Sequence, residues 1–433
     1  MATADGGVTG SAQKLPRLAV IADVAPEQVD GGALLLHRLL KEYPPERLFV
    51  VCNPEFATGD PARRLPGVTY RNFHYRVPRL IRNRFNPAWP VVMAAAMRRH
   101  TGAVARAVAD FAPDAVLTVP HLFLWFSAAR VARTLRVPLH LIVHDDWPSY
   151  ITFRRSGWAP RMVRWGCRKI VGPVYRQAAS RLCVSHGMEE HCERWYGVGG
   201  TVLYPARGDD SPPPRVRVRR EENGPPVVAF CGNIHQDGTA DLLRELAGVL
   251  ASLKGRLDVY SQVPADRLAA LGLTAPVVRH CGFFPAAEMG ERVSRTAHVL
   301  FLPTSFEARE REDVSTLFPS KLADYTAVGL PVLAWAPSYS SAARWAIENP
   351  GAVALVSQRE PDTVREVLSR LARDSARAEE ITAAGIEAGR RCFEPATAWE
   401  TFVTSLCQGS TSHPGFATQF RSGFPAMASS PPS

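Results

Sequence analysis

Lys321, Asp324 and the residues around them carry the types that an anion and a sugar would need. The run from Ser315 to Ala334 reads as a loop that enters a helix and then turns into a buried strand. Ser315 and Thr316 can cap, Pro319 fits a first helical turn, and Leu322, Tyr325 and Val328 recur at helical spacing. Gly329 suits the helix end, Pro331 stops continuation, and Val332-Leu333-Ala334 is short and apolar. A helix amino end exposes unpaired N–H groups and partial positive charge, so it favours anions. Lys321 falls in that first turn, where the helix dipole disfavours a cation, and a bound anion removes the conflict. Asp324 lies three residues on and is expected on the same face. Phosphate on the amides and Lys321, with a sugar hydroxyl on Asp324, is one reading; an ordinary surface helix is the other.

Other candidate groups follow apolar runs, where loops at the carboxyl ends of parallel strands bind ligands. His144-Asp145-Asp146-Trp147 ends one such run; carboxylates accept sugar hydroxyls and a Trp face stacks on a sugar ring. Gly31-Gly32 precedes a helix and lets a ligand approach the backbone, or simply makes a tight turn. Gly232-Asn233-Ile234-His235 is a similar loop in the second half. Ser185-His186-Gly187-Met188 opens a helix, and Ser185 reads as a cap, since the Gly-x-Ser-x-Gly pattern of a hydrolase is missing. Glu307, Glu310, Glu312 and Asp313, interleaved with Arg309 and Arg311, could grip hydroxyls or pair among themselves. There is no Walker or Gly-x-Gly-x-x-Gly pattern and no Cys/His ligand spacing.

The elements that must position these groups alternate. Apolar runs begin at Leu18, Leu48, Ala115, Leu139 and Arg181, with helices from Gly31, from Pro90 to Phe111 and from Met188 to Tyr196. After a Pro- and Arg-rich stretch at 206–226 the alternation restarts at Val227–Cys231. A helix over Thr239–Leu253 follows, then strands at Leu257, Val277, Val299, Val332 and Ala352. Residues 360–391 read as helical. This predicts an α/β protein of two doubly wound domains, 16–205 and 227–395, with a helix at 396–407. Residues 1–15 and 408–433 are expected to be disordered. The chain has 433 residues, 46% hydrophobic, with a net charge of +10 that comes mostly from Arg. Its eight Cys are scattered singly, as expected of reduced thiols in a cytoplasmic protein. No run is long enough to span a bilayer and no signal pattern opens the chain. Arg154-Arg155, Trp158, Arg161, Arg164, Trp165, Arg168 and Lys169 form a basic segment interleaved with Trp. It suits a peripheral contact with an anionic membrane or a groove for a phosphorylated acceptor, or it is a solvated face over core Trp residues.

Together these residues resemble the retaining glycosyltransferases of the GT-B fold, most like glycosyltransferase family 4, over about residues 17–400. Phe318-Pro319-Ser320-Lys321-Leu322-Ala323-Asp324-Tyr325 through Gly329-Leu330-Pro331-Val332 is similar to the nucleotide-sugar region, which usually carries two Glu separated by seven residues. Those positions fall here on Thr316 and Asp324. Cys183-Val184-Ser185-His186-Gly187-Met188 with Tyr196-Gly197 resembles another family segment, and Gly282-Phe283-Phe284-Pro285 the turn before the last donor-side helices. The family's basic pair is not evident; Asp237-Gly238 stands where Lys-Gly is common.

The resemblance implies two Rossmann-like domains facing across a cleft, and transfer of a sugar from a nucleoside-diphosphate donor to a hydroxyl acceptor, a polysaccharide or glycolipid. It implies donor binding by Gly232, Asn233, Thr316, Phe318, Ser320, Lys321 and Asp324, with the ribose on Asp324. His144, Asp145 and Lys321 would serve catalysis, and Gly31, Gly32, Asp146 and Trp147 the acceptor side. No cofactor or metal is expected, the nucleotide sugar being a co-substrate. Nucleic acid is disfavoured because no recognised nucleic-acid fold appears. The expected location is the cytoplasm, peripherally at the inner membrane face. The loss of the first Glu and of the basic pair motivates a rival reading, a catalytically silent GT-B protein that binds a sugar nucleotide or a partner transferase.

Overall fold

The computed structural model describes residues 15–29, 31–75, 86–152, 155, 157–208, 214–217, 224–234, 237–284 and 286–411. Of the disorder expected at 1–15 and 408–433, residues 1–14 and 412–433 lie outside those residues, as do much of the 206–226 stretch and Arg154, His235 and Pro285, whereas 408–411 are not disordered but continue the last helix, Pro395–Thr411. Seven strands form the first sheet: β1 (Leu18–Ile21), β2 (Leu48–Cys52), β3 (Thr69–Asn72), β4 (Ala115–Thr118), β5 (Leu139–Val143), β6 (Ser180–Cys183) and β7 (Thr201–Val202). Six form the second: β8 (Val227–Cys231), β9 (Arg256–Tyr260), β10 (Val278–Gly282), β11 (Val299–Pro303), β12 (Val332–Trp335) and β13 (Ala354–Val356).

The spatial orders are β3-β2-β1-β4-β5-β6-β7 and β10-β9-β8-β11-β12-β13. All named pairings are parallel, with Leu18 opposite both Leu48 and Ala115, and Ala229 opposite both Asp258 and Leu300. Each order reverses direction beside its first strand, between β1 and β4 and between β8 and β11. This is the switch point at which doubly wound sheets open a ligand crevice. The central strands are covered by helices on both faces, which is why β1 and β2 are continuous apolar runs with every residue buried. The two-domain α/β architecture expected from the sequence is therefore present.

Several local expectations differ. β3 and β7 lie at the edges of the first sheet, and β3 reads Thr-Tyr-Arg-Asn, too polar and short to announce itself. The helical stretch at 360–391 is two helices, Pro361–Arg373 and Ser375–Phe393, because the Asp374 carboxylate caps the second by accepting the Arg377 N–H at 2.9 Å. Ser315 and Thr316 end a short helix, Arg311–Thr316, and do not cap the next one; that helix runs Lys321–Val328, with Ser320 before it and Gly329 left-handed after it.

The last helix, Pro395–Thr411, leaves the second domain and packs on the first. Phe402 and Leu406 are fully buried in one cluster with Leu36, Leu40 and Tyr43, and Trp399 meets Tyr43 edge-on at 6.0 Å. Other contacts also cross between the domains. The Ser185 hydroxyl donates to the Thr316 carbonyl at 2.5 Å while accepting the Met188 N–H as the expected cap. A Cβ on Gly187 would overlap the Ser315 carbonyl oxygen. Arg344 forks onto Glu190 at 2.6 and 2.8 Å.

Candidate active site

A cleft of about 890 Å³ lies between the carboxyl edges of the two sheets. From the first domain it takes the loops after β1, β4, β5 and β6, through Gly31, Gly32, His121, His144, Asp145 and Val184. From the second it takes Asn233 and Thr239 after β8, Pro303 and Thr304 at β11, and Leu317 to Lys321. Both switch points therefore open onto one space. Two helix amino ends also face it, that of Gly31–Leu40 and that of Lys321–Val328, each carrying partial positive charge; in the second, the Leu322 and Ala323 N–H groups already donate to the Pro319 and Ser320 carbonyls at 2.9 and 3.1 Å.

Lys321 is held between glycine and aromatic. Its Nζ lies 4.3 Å from the Phe230 ring centroid, and a Cβ on Gly232 would overlap its Cε. Gly232 also has φ +131°, which side chains rarely adopt, so two independent constraints require glycine there. Burial strips water from the ammonium and lowers its pKa from 10.5 to about 8. It stays mostly protonated at neutral pH, and among the described residues its charge meets the Phe230 ring and no carboxylate.

On the opposite wall, the Gly31–Leu40 helix comes so close to His144 that a Cβ on Gly32 would sit 3.2 Å from its Nδ1. Burial drives the His144 pKa down to about 4; Asp145 opposes that drop and His121 adds to it. The ring is neutral near pH 7, so it offers one donor and one acceptor. His121 was not singled out by any motif. It pairs through Nδ1 with the Asp145 carboxylate at 3.2 Å and stacks obliquely on Tyr150 at 4.4 Å. Its only sequence signal is its place just past the carboxyl end of β4.

The expected site residues divide. Gly31, Gly32, His144, Asp145, Asn233, Phe318, Ser320 and Lys321 line the cleft together. Gly232 stands behind Lys321. Asp146, Trp147, Thr316 and Asp324 are absent from the lining. Trp147 is 1% exposed and donates its indole N–H to the Leu122 carbonyl at 2.7 Å, within a core that includes Trp125 at 4.9 Å, so no face is open for stacking. Asp146 caps the Trp147–Ile151 helix, accepting the Ser149 N–H at 3.2 Å, and meets His191 at 3.3 Å and Arg168 at 3.5 Å. Thr316 is 3% exposed and donates its hydroxyl to the Glu312 carbonyl at 2.9 Å.

Asp324 does not line the cleft beside Lys321. Its carboxylate reaches across the domains to the Arg38 guanidinium at 3.1 Å and accepts the Gly208 N–H at 3.1 Å. The acidic loop pairs chiefly with arginines outside it: Glu307 meets Arg359 at 3.0 Å and Glu312 meets Arg168 at 3.4 Å, while within it Arg309 lies 3.9 Å from Glu310. Among the described residues, Asp146, His191 and Glu312 could offer three ligand atoms to a metal, but the Arg168 guanidinium already lies against both carboxylates.

Comparison with known proteins agrees with this arrangement. No curated protein matches the chain by sequence. The crystal structure of Anabaena HepE in complex with UDP-glucose superposes with a TM-score of 0.61 at 13% identity, covering 90% of this chain and 99% of that one. Sucrose-phosphate synthase from Thermosynechococcus elongatus gives 0.61 at 15% identity, with 90% and 97% covered. The UDP-forming α,α-trehalose-phosphate synthase from Burkholderia vietnamiensis gives 0.58 at 13%, with 92% and 98% covered. At these identities the likeness is one of fold. Residues 30–206 match the family model described as Glycosyltransferase Family 4, and the chain as a whole shares the two-domain fold of these GT-B structures.

Proposed function

We propose that the protein is a retaining glycosyltransferase that moves a sugar from a nucleoside-diphosphate donor to a hydroxyl acceptor, a polysaccharide or glycolipid. The observation that carries this reading is Lys321: a desolvated ammonium over an aromatic ring, with no carboxylate partner among the described residues, at a helix amino end, in a cleft shared by both domains. Such a group is costly to keep and is repaid by a bound anion. The leaving diphosphate is stabilised there by Lys321 and the positive ends of two helix dipoles, without routing charge through a metal. Each well-placed donor of this kind contributes about 3 to 4 kcal/mol to the transition state.

Neutral His144 hydrogen-bonds a hydroxyl of the transferred sugar. Asp145 is the one carboxylate among the described lining residues, and it is engaged by His121. A double displacement needs a free nucleophile, so departure and attack on the same face of the sugar is the favoured route. Asp324 takes the nucleoside ribose by releasing Arg38. The HepE structures with UDP-glucose and with UDP make a uridine donor the first to test. The eight cysteines are free thiols, which fits cytoplasmic work at the inner face of a membrane.

The test is incubation with nucleotide sugars and a pooled set of glycan and glycolipid acceptors, followed by NMR of the product's anomeric carbon. Retained configuration is expected, and an inverted product would overturn the route. The rival reading, a silent protein that binds a sugar nucleotide, is favoured by the buried Thr316 standing where the family carries Glu. Saturable donor binding without transfer or donor hydrolysis would establish it instead.

A further inference from the structure

Two helices on the outer face of the first domain carry charge of one sign. Trp89–Ala109 and Trp158–Gln177 contain eight Arg and Lys and no Asp or Glu. They pack closely, since a Cβ on Gly166 would lie 2.8 Å from Pro90 Cγ. Arg164 and Arg168 turn inward, Arg164 to the Arg155 carbonyl and Arg168 to Asp146 and Glu312. The other six, Arg98, Arg99, Arg106, Arg161, Lys169 and Arg176, are exposed.

Large apolar side chains lie among them in the open. Trp158 is 73% exposed, Val91 66%, Trp165 57% and Met162 45%. Trp158, Met162, Trp165 and Lys169 are spaced by four, three and four residues, which places them on one stripe of the helix. Trp195, 48% exposed, extends the patch by lying over the Arg168 guanidinium at 3.6 Å. The apolar members sit at the amino-terminal ends of both helices. The Trp158–Gln177 helix follows β5, and a strand-to-helix crossover begins at the carboxyl edge of the sheet, where the cleft opens. The cations extend from there along the helix faces.

We infer that this face seats the protein on an anionic lipid bilayer, with Val91, Trp158, Met162 and Trp165 entering the headgroup region and the exposed cations lying against lipid phosphates. Exposed indoles ringed by Arg and Lys match the interface between acyl chains and headgroups. Among the described residues no helix is long and apolar enough to cross a membrane, so contact of this kind is peripheral. A nucleic acid would use the same cations but gains nothing from Met162 or Val91. The inference does not depend on the donor chemistry, since it reads a different surface.

The test is co-sedimentation of the full chain with vesicles of phosphatidylcholine alone or in equal parts with phosphatidylglycerol. Binding is expected only with the anionic vesicles, and it should weaken as salt rises. The double variant Trp158→Ser, Trp165→Ser should bind about tenfold or more weakly. Arg161→Gln with Lys169→Gln should lose about fivefold for each charge removed. All four positions are exposed, so unchanged melting temperatures serve as the folding control. No binding to anionic vesicles at low salt, or wild-type binding by the Trp variant, would overturn the inference. Displacement from vesicles by duplex DNA, with DNA binding untouched by the Trp changes, would assign the face to nucleic acid instead.

Discussion

Lys321→Met separates the cost of the site from its use. In the wild type, burial lowers the ammonium pKa from 10.5 to about 8, which corresponds to about 3 kcal/mol of destabilisation at pH 7. Partial solvent access and the Phe230 ring return some of this, leaving roughly 1 to 2 kcal/mol. Methionine keeps the length of the side chain, lies against the same ring and carries no charge. The variant is therefore expected to melt roughly 2–4 °C higher than wild type at neutral pH. The sign follows from proton counting. Between pH 8 and 10.5 the unfolded chain holds the lysine proton and the folded one does not, so wild-type stability rises with pH across that window. The advantage of methionine should be constant below pH 8 and vanish towards pH 10.5. Transfer activity should fall by a factor of 10² to 10³, as for loss of one preorganised donor. Differential scanning fluorimetry across pH, with turnover measured on the same preparations, checks both. A variant that is no more stable than wild type at pH 7 and still turns over would refute the assignment of Lys321.

His144→Gln should flatten acid sensitivity. The folded pKa of about 4 lies below the ordinary 6.5, so wild-type stability is lost as pH falls from 6.5 towards 4, and the variant should lose less across that window in denaturant titrations. Gly187→Ala should force the Ser315 carbonyl away, costing about 1–3 kcal/mol and loosening the domains, seen as a larger radius of gyration by small-angle scattering. Asp324→Asn should weaken binding of nucleosides and nucleoside diphosphates alike, whereas Lys321→Met should weaken only the diphosphates. Calorimetric titration of both variants distinguishes the two roles.

What the sequence disclosed follows the reach of each interaction. β1, β2 and β8 are continuous apolar runs because both faces of the sheet are covered, so they are legible without a partner. β3 is polar at an edge and is not. The last helix was visible as a helix, but its burial against Leu36 and Tyr43 depends on residues more than 300 positions away. In the site, Gly32, His144 and Lys321 were legible because backbone approach and charge demand particular residue types. Trp147 and Asp146 lie off the cleft because a Trp or Asp after a strand serves packing or capping as readily as a ligand. Asp324 carries the right charge, but its facing direction is set by Arg38 on the other domain.

The central claim is that the cleft at Lys321 holds a nucleoside diphosphate. A thermal-shift series with UDP, GDP, ADP, TDP and CMP tests it directly. One diphosphate should raise the melting temperature through mass action, by about 2.7 kcal/mol of stabilisation at a hundred times its dissociation constant. That shift should be lost in Lys321→Met. No shift with any diphosphate, or a shift that survives in Lys321→Met, would contradict it.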